Sequence, residues 1–334
     1  MSNKAVPSSD DGEVIGVDIG GTKILSIRAS ATEILDREQV KSKADGPGIL
    51  DQIESSIAAL IDRSPNKPVA VGVGMAGFIG LDGVARSAPN TAGLVGVDIP
   101  GILGNRFGLP VRVDNDANCV AIAARDAFAG DSVASDSVAG DSDAVLAETM
   151  VAVTLGTGIG GGLVVGGELF RGANGFAGEP GHMVIDPNGP ECPCGQFGCW
   201  ERFASGSGLA WLATRAAEAG RADSVVNHAK SLEAIKGKDV SDLAAAGDPQ
   251  AQEIFDEFAF YVALGIANLV VVFDPQMVVV GGGLAALGDQ LLNPVRAALA
   301  DHFPSATRNR ETKIIMAPGG PDAGAWGAAL LARQ

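Results

Sequence analysis

One local pattern occurs twice in this chain and constrains its fold. Near the start, the run Glu13–Asp18 leads into the turn Gly20–Lys23 and a second apolar run, Ile24–Ala29. Later, the buried run Met150–Leu155 leads into a turn at Gly156–Gly162. Short apolar runs joined by glycine-rich turns are typical of β-hairpins. The sequence therefore predicts two similar halves, each beginning with a hairpin.

Helices and strands alternate after each hairpin. Apolar residues recur at helical spacing over Ile49–Asp62, and a strand is predicted at Val69–Val73. A long helix is predicted over about residues 250–272, followed by the strand Gln276–Val280. Alternation of this kind indicates an α/β fold with mixed sheets.

The predicted halves give a domain scheme of two lobes facing a cleft. We expect a small lobe at 13–127, completed by a C-terminal helix at about 318–334, and a large lobe at 128–317. Residues 1–12 are polar and acidic and are interpreted as a disordered leader. Residues 129–143 are a low-complexity acidic stretch, interpreted as an inserted surface loop to which we assign no function.

Composition excludes several classes of partner. The formal net charge is −16, which disfavours nucleic acid and anionic membrane surfaces. The N-terminus has no apolar signal-like region, and the apolar stretch Phe258–Val272 is interpreted as a buried helix, too short and interrupted for a membrane span. We therefore expect a cytoplasmic protein. In that reducing compartment, clustered cysteines favour a metal site over disulfides.

The cysteine cluster predicts a structural zinc site. Three of the four cysteines, Cys192, Cys194 and Cys199, follow His182 within eighteen residues. One imidazole and three thiolates are a tetrahedral Zn²⁺ ligand set, and they leave no open position for catalysis. The alternative is three unrelated thiols and a histidine. Cys119 is interpreted as a small buried residue.

The glycine-rich turns are candidates for binding phosphate and Mg²⁺. Each offers backbone N–H groups at close approach, and the first adds an acid, a hydroxyl and a cation. A plain tight turn is the alternative for each. The candidate ATP and Mg²⁺ residues are Asp18, Gly20, Gly21, Thr22, Lys23, Gly156, Thr157, Gly158 and Gly282.

Carboxylates follow a predicted strand end and flank the cysteine cluster. Asp114 and Asp116 come directly after the strand Val111–Val113, and a carboxylate there can accept the proton of an attacking hydroxyl. Glu179 and Glu201 stand beside the metal ligands, where a rigid loop would hold them for binding sugar hydroxyls. They could equally cap turns or face water.

Taken together, these motifs resemble the ROK family of the actin-like sugar kinase superfamily. The resemblance runs from about residue 12 to the C-terminus and rests on five segments: Asp18–Lys23, Ala88-Pro89-Asn90, Asn115-Asp116-Ala117-Asn118, Glu179-Pro180-Gly181-His182 and the stretch CPCGQFGCWE. It implies a ribonuclease-H-like (actin-like ATPase) fold in two lobes. It also implies phosphorylation of glucose at its 6-hydroxyl by ATP with Mg²⁺, in a homodimer or homotetramer.

The resemblance also assigns roles to residues. It implies that Asp116 is the catalytic base and that His182 both ligates zinc and contacts sugar. The implied sugar-binding residues are Gly77, Asn90, Asn115, Asp116, Glu179, His182 and Glu201. The two hairpins would hold the ATP phosphates.

Other sugars and another function remain alternatives. Phe78 stands where N-acetylmannosamine kinases of the family are expected to have arginine, which favours glucose; Leu94 stands where the family often has tryptophan. N-acetylmannosamine, N-acetylglucosamine, allose and fructose remain open as substrates, and polyphosphate as donor is disfavoured by the cysteine cluster. A sugar-responsive regulator is disfavoured because the first hairpin starts near residue 13 and the chain is acidic.

Overall fold

The computed structural model describes residues 12–42, 48–129, 148–308 and 311–334. Apart from residues 12 and 129, the predicted leader and acidic insert lie outside this range. The described strands are β1 Val14–Ile19, β2 Lys23–Ala29, β3 Ile34–Lys41, β4 Ala70–Met75, β5 Phe78–Ile79, β6 Ala85–Ser87, β7 Val111–Asn115, β8 Thr149–Leu155, β9 Ile159–Val165, β10 Glu168–Leu169, β11 Met277–Gly281 and β12 Lys313–Met316. The helices are α1 Ile49–Asp62, α2 Ile99–Phe107, α3 Asp116–Ala129, α4 Glu201–Ala204, α5 Gly206–Glu218, α6 Asp223–Ala229, α7 Gly237–Ala245, α8 Pro249–Phe273, α9 Asp289–His302, α10 Pro304–Thr307 and α11 Ala323–Ala332.

The described chain forms two compact units. The first contains the residues up to Ala129 together with Leu169–Ala177 and Asp322–Gln334. The second contains the remaining described residues, up to Glu168 and from Gly178 to Pro321.

The first unit is built on a mixed sheet of order β3-β2-β1-β4-β7. The first three strands are antiparallel neighbours, and Ile19 lies opposite Ile24 across the hairpin. β4 and β7 run parallel to β1 because each is reached through a helix rather than a tight turn. The carboxyl ends of β1, β4 and β7 therefore lie at one edge of the sheet.

Helix α11 packs against this sheet at very short distance. A Cβ added at Gly16 would lie 2.1 Å from the Ala325 carbonyl oxygen, and one at Gly72 would lie 1.8 Å from that of Ala328. Only glycine fits at both strand positions. The C-terminal helix is thus part of the first unit, although it begins at Ala323 rather than near residue 318.

The second unit repeats the strand order of the first, as β10-β9-β8-β11-β12. β8 and β9 are antiparallel, and β11 runs parallel to both β8 and β12. The two hairpins thus occupy equivalent positions in two mixed sheets. The fold is mixed α/β with mixed sheets, as predicted.

Helix α8 runs through the core of the second unit. Asp248 caps its start by accepting from the Ala251 N–H, and Pro249 takes the first helical position. It has 25 residues and is long and apolar enough to cross a membrane, but 61% of its most apolar window is buried within the protein. The expectation that it is too short was wrong, whereas the interpretation as a buried helix is confirmed.

One segment departs from the predicted domain boundaries. Leu169–Ala177 lies in the range assigned to the large lobe, yet it packs with the first unit. The Arg171 guanidinium binds Asp114, and the Phe176 ring lies 5.6 Å from that of Phe78, centroid to centroid. These contacts join residues far apart in sequence, so no local pattern indicates them.

Candidate active site

The Asn115–Asn118 motif forms the start of α3 in the first unit. Asn115 is the N-cap: its Oδ1 accepts from the N–H groups of Ala117 (2.8 Å) and Asn118 (3.2 Å). Its Nδ2 donates to the Gly77 carbonyl at 3.1 Å. Asp116 is therefore the first residue of the helix, where the N-terminal dipole favours a negative charge.

Asp116 and Asp18 form a pair of crowded carboxylates. Burial, with the charge of Asp116 as the second cause, raises the pKa of Asp18 to about 7, while Lys23 acts in the opposite direction. Burial also raises the pKa of Asp116. Two neighbouring carboxylates with raised pKa values are suited to binding a divalent cation, because the cation would stabilise both negative charges.

The first hairpin turn lies beside Asn90, one of the residues predicted to bind sugar. The Gly20 N–H donates to the Lys23 carbonyl at 2.9 Å, which leaves Gly21 and Thr22 exposed at the tip. A Cβ on Gly21 would lie 3.4 Å from the Cβ of Asn90. The structure thus brings this turn and Asn90 together within the first unit.

Gly77 occupies a backbone conformation that requires glycine. Its φ is +133°, and an added Cβ would lie 2.1 Å from the Ser87 carbonyl oxygen. Its own carbonyl holds the side chain of Asn115. The hydrogen bond between Gly77 and Asn115 therefore joins the chain after β4 to the end of β7. Their predicted contact with sugar stays a prediction. Leu94 is fully buried in the core, where it packs among other apolar residues.

The residue that sequence analysis missed here is Arg171. Its Nε donates to Asp114 Oδ2 at 2.7 Å, and Asp114 Oδ1 accepts from the Asn115 N–H and from Asn118 Nδ2. The signal available in the sequence was an isolated arginine eight residues before Glu179. Nothing in its neighbourhood indicates a partner 57 residues away.

The second hairpin turn lies against Glu201 in the second unit. Glu201 Oε2 accepts from the Ile159 N–H at 2.8 Å, and a Cβ on Gly158 would lie 2.1 Å from that oxygen. Gly282 has a φ of +81°, and a Cβ there would lie 2.6 Å from the Leu155 carbonyl oxygen. Glu201 therefore supports the hairpin. Its predicted role in sugar binding stays a prediction.

The predicted metal ligands are close together. The donor atoms of His182, Cys192, Cys194 and Cys199 all lie within 4.8 Å of one another. The Cys194 and Cys199 sulfurs are 3.6 Å apart, and Cys192 Sγ is 3.9 Å from His182 Nδ1. Ligands of a tetrahedral Zn²⁺ site with bonds of about 2.3 Å lie about 3.8 Å apart.

The chemistry of the cysteine cluster also fits a cation. Burial, followed by hydrogen bonding with Cys194 and Cys192, raises the pKa of Cys199 to about 12. The pKa of Cys192 is also raised, whereas that of Cys194 is lowered, and a bound cation would offset the repulsion between three thiolates held this close. Geometry and donor type therefore both fit Zn²⁺.

The loop that carries these donors is anchored to α8. Trp200 is fully buried, its Nε1 donates to the Tyr261 carbonyl at 2.7 Å, and Gly265 leaves room for its indole ring. The loop also packs on β9, because Gly161 leaves space for Pro180. The chain segment bearing Glu179 and His182 is thus held by rigid elements.

Each unit gathers part of the predicted site. The first brings together Asp18, Lys23, Gly77, Asn90, Asn115 and Asp116 with Gly20, Gly21 and Thr22. The second holds Gly156, Thr157, Gly158, Glu179, His182, Glu201, Gly282 and the three cysteines.

Comparison with known proteins shows the family to which the chain belongs. The model of the ROK family matches residues 14–334. A glucokinase of Halalkalibacterium halodurans is 34% identical over 331 residues, which cover 96% of this chain and 94% of that protein. A ROK family glucokinase from Streptomyces griseus, crystallised with glucose and AMPPNP, is 34% identical with a TM-score of 0.80 and is aligned over 97% of this chain and 100% of its own.

Other relatives have different functions. An N-acetylmannosamine kinase of Escherichia coli O157:H7 is 33% identical over 96% of this chain and 98% of its own length. A putative xylose repressor of Caldicellulosiruptor is 33% identical over 85% of this chain and 69% of its own. The chain belongs to the ROK family.

Proposed function

We propose that this protein is an ATP-dependent sugar kinase that phosphorylates glucose at its 6-hydroxyl. The observation that carries the proposal is the position of Asp116 at the first turn of α3, held by the Asn115 cap beside Asp18. A carboxylate with a raised pKa, at a helix start and a strand end, is suited to accept a hydroxyl proton. Family membership and the glucokinase relatives support the same activity.

The residues divide into three proposed roles. Asp116 takes the proton of the attacking hydroxyl. Gly77, Asn90, Asn115, Glu179, His182 and Glu201 bind and orient the sugar. The two hairpin turns and Gly282 bind ATP through backbone N–H groups, and Lys23 adds positive charge.

Two metal ions belong to the proposal. Mg²⁺, held near Asp18, would neutralise charge on the transferred phosphoryl group. Zn²⁺, bound by His182 and the three cysteines, would be structural and would fix the segment that carries Glu179. We further propose that the chain has the ribonuclease-H-like (actin-like ATPase) fold, forms a homodimer or homotetramer, and is located in the cytoplasm.

Glucose is favoured over N-acetyl sugars by one local feature. Phe78, where arginine is expected in N-acetylmannosamine kinases, contacts the ring of Phe176. This pair places apolar surface next to Gly77. The second candidate substrate is N-acetylmannosamine, because a kinase for that sugar is almost as similar to this chain as the glucokinases are.

The test is a coupled ADP-release assay with Mg-ATP and a panel of hexoses. Glucose should give the highest kcat/KM among glucose, mannose, fructose, allose, N-acetylglucosamine and N-acetylmannosamine. Preference for an N-acetyl sugar would refute the glucose assignment but keep the kinase. Absence of turnover on every sugar would refute the kinase itself.

A pair of variants tests the proposed base. Asp116→Asn keeps the shape of the side chain and should lower kcat by about 10²–10⁴-fold with a small change in sugar KM. Asp62→Asn, an exposed aspartate at the end of α1 in the same unit, is the matched control and should retain wild-type kcat. Near-normal turnover by Asp116→Asn would remove Asp116 from the role of base.

A further inference from the structure

Asp114 holds together three parts of the first unit. Its side chain is only 7% exposed. Oδ1 accepts from the Asn115 N–H at 2.8 Å and from Asn118 Nδ2 at 2.7 Å, which ties the end of β7 to the first turn of α3. Oδ2 accepts from Arg171 Nε at 2.7 Å. Asp116 lies between the residues that Asp114 binds.

Arg171 comes from a separate segment, residues 169–177, which we call the strap. The Ala177 N–H donates to the Arg171 carbonyl at 3.1 Å and closes the strap into a small loop. Gly175, at φ +90°, lies so close to β5 that an added Cβ would be 2.5 Å from the Ile79 carbonyl oxygen. Together with the Phe176–Phe78 ring contact, these interactions hold the strap that carries Arg171 against β5.

Arg171 is the cation that pairs with the buried Asp114 carboxylate at the start of α3. Asp114, Asp18 and Asp116 all lie near the buried Cys119 thiol, and Arg171 acts on that thiol with the opposite sign. Lys23 acts on Asp18 from the hairpin. Removing Arg171 would leave a buried carboxylate without its cation, and such a group moves toward water or other donors. Movement of Asp114 would release the cap that orients Asp116.

We propose that Arg171 is a positioning residue for the base: through Asp114 it fixes the first turn of α3 and therefore the direction of the Asp116 carboxylate. This inference rests on the proposed function and adds to it a residue from a different part of the chain. Because Arg171 acts through Asp114, replacing Arg171 should lower kcat. The loss should be seen only in protein that still has Asp116.

The kinetic test is a double-mutant cycle between Arg171→Ala and Asp116→Asn. In the wild-type background, Arg171→Ala should lower kcat at least tenfold and leave the KM for Mg-ATP within about twofold. In the Asp116→Asn background, the same change should lower kcat less than threefold, because the base it positions is absent. An equal loss in both backgrounds, or wild-type kcat in Arg171→Ala, would overturn the proposal.

Two further variants separate positioning from loss of folding. Arg171→Lys keeps the charge and should recover kcat to within about threefold to fivefold of wild type; if Arg171→Ala does not fold, the cycle is run with Arg171→Gln, which keeps most of the side chain and removes the charge. Arg63→Ala removes an arginine that binds Asp36 and Glu38 on the surface of the same unit, and it should leave kcat unchanged. A loss of kcat in Arg63→Ala equal to that in Arg171→Ala would show a general effect of arginine removal and would refute the specific role.

Hydrogen exchange tests the inference independently of turnover. Peptides covering residues 114–119 and 169–177 should exchange at least tenfold faster in Arg171→Ala, with other core peptides unchanged. If wild-type protein phosphorylates no sugar, the proposed function fails while this structural effect remains measurable. Unchanged exchange in both peptides would overturn the positioning role whatever the activity.

Discussion

Neutralising Asp18 should stabilise the metal-free protein at high pH while impairing catalysis. The side chain lies at the end of β1, and a Cβ on Gly324, in the first turn of α11, would lie 2.9 Å from its Cγ. Burial and then the nearby Asp116 charge raise its pKa from 3.8 to about 7. The variant to make is Asp18→Asn, which keeps the shape and removes the charge.

The expected magnitude follows from the pKa shift. The folded protein holds this proton to a higher pH than the unfolded chain does, so wild-type stability falls as pH rises from about 4 to about 7. A rise of the pKa from 3.8 to about 7 corresponds to about 4 kcal/mol. Because the Asp18 residue is partly exposed to solvent, we take half of this, about 2 kcal/mol. At an unfolding entropy of about 2.1 cal/mol/K per residue, 2 kcal/mol corresponds to about 3 °C in this chain.

Thermal unfolding of the two proteins measures this effect. The samples contain EDTA and no nucleotide, so that no divalent cation compensates the carboxylates. Asp18→Asn should unfold about 3 °C above wild type at pH 8 and only about 1 °C above it at pH 5. Its kcat with Mg-ATP should fall at least tenfold, because the carboxylate proposed to hold Mg²⁺ is gone.

Two results would refute this reasoning. If Asp18→Asn is no more stable than wild type at pH 8, the carboxylate is not a destabilising charge. If the gain is the same at pH 5 and pH 8, it comes from packing rather than ionisation. Asp62→Asn is the control, and its difference from wild type should not depend on pH.

Two further substitutions test the metal site and the Gly77 turn. Cys194→Ser should lose bound zinc and most sugar affinity, since metal binding contributes about 10 kcal/mol or more in small zinc modules. Elemental analysis measures the zinc content, and the control Cys119→Ser should retain one zinc per chain. Full activity of zinc-free Cys194→Ser would show that the site is dispensable. Gly77→Ala should raise the sugar KM at least tenfold, because its Cβ would lie 2.1 Å from the Ser87 carbonyl oxygen. Gly96 also has a positive φ, +74° against +133° at Gly77, but a Cβ there would lie in open space. Gly96→Ala should therefore cost only the strain of the backbone, and an equal KM change there would contradict the steric explanation.

Local sequence signals predicted the elements with strong periodicity. The limits of α1, Ile49–Asp62, match the predicted range, and both hairpins were located from apolar runs around glycine. Helices with weaker patterns, such as α2 and α9, were not predicted. Their positions depend on packing against the sheets more than on propensity.

The candidate site likewise contains features that local sequence predicts and features that depend on distant parts of the chain. His182 and the cysteines lie within eighteen residues, so their type and spacing predicted the cluster before any fold was known. Glu201 was predicted to contact sugar, but its observed bond to the Ile159 N–H joins two segments 42 residues apart. A single sequence contains no local pattern for such a contact.

The sequence by itself determined the two hairpins and the clustering of His182 with three cysteines, because each depends on residues within one turn or loop. Only the tertiary structure decided that Arg171 pairs with Asp114 and that α11 packs against the sheet at Gly16 and Gly72. Those contacts join distant parts of the chain, and they form because buried charges need partners and sheets need a covered face.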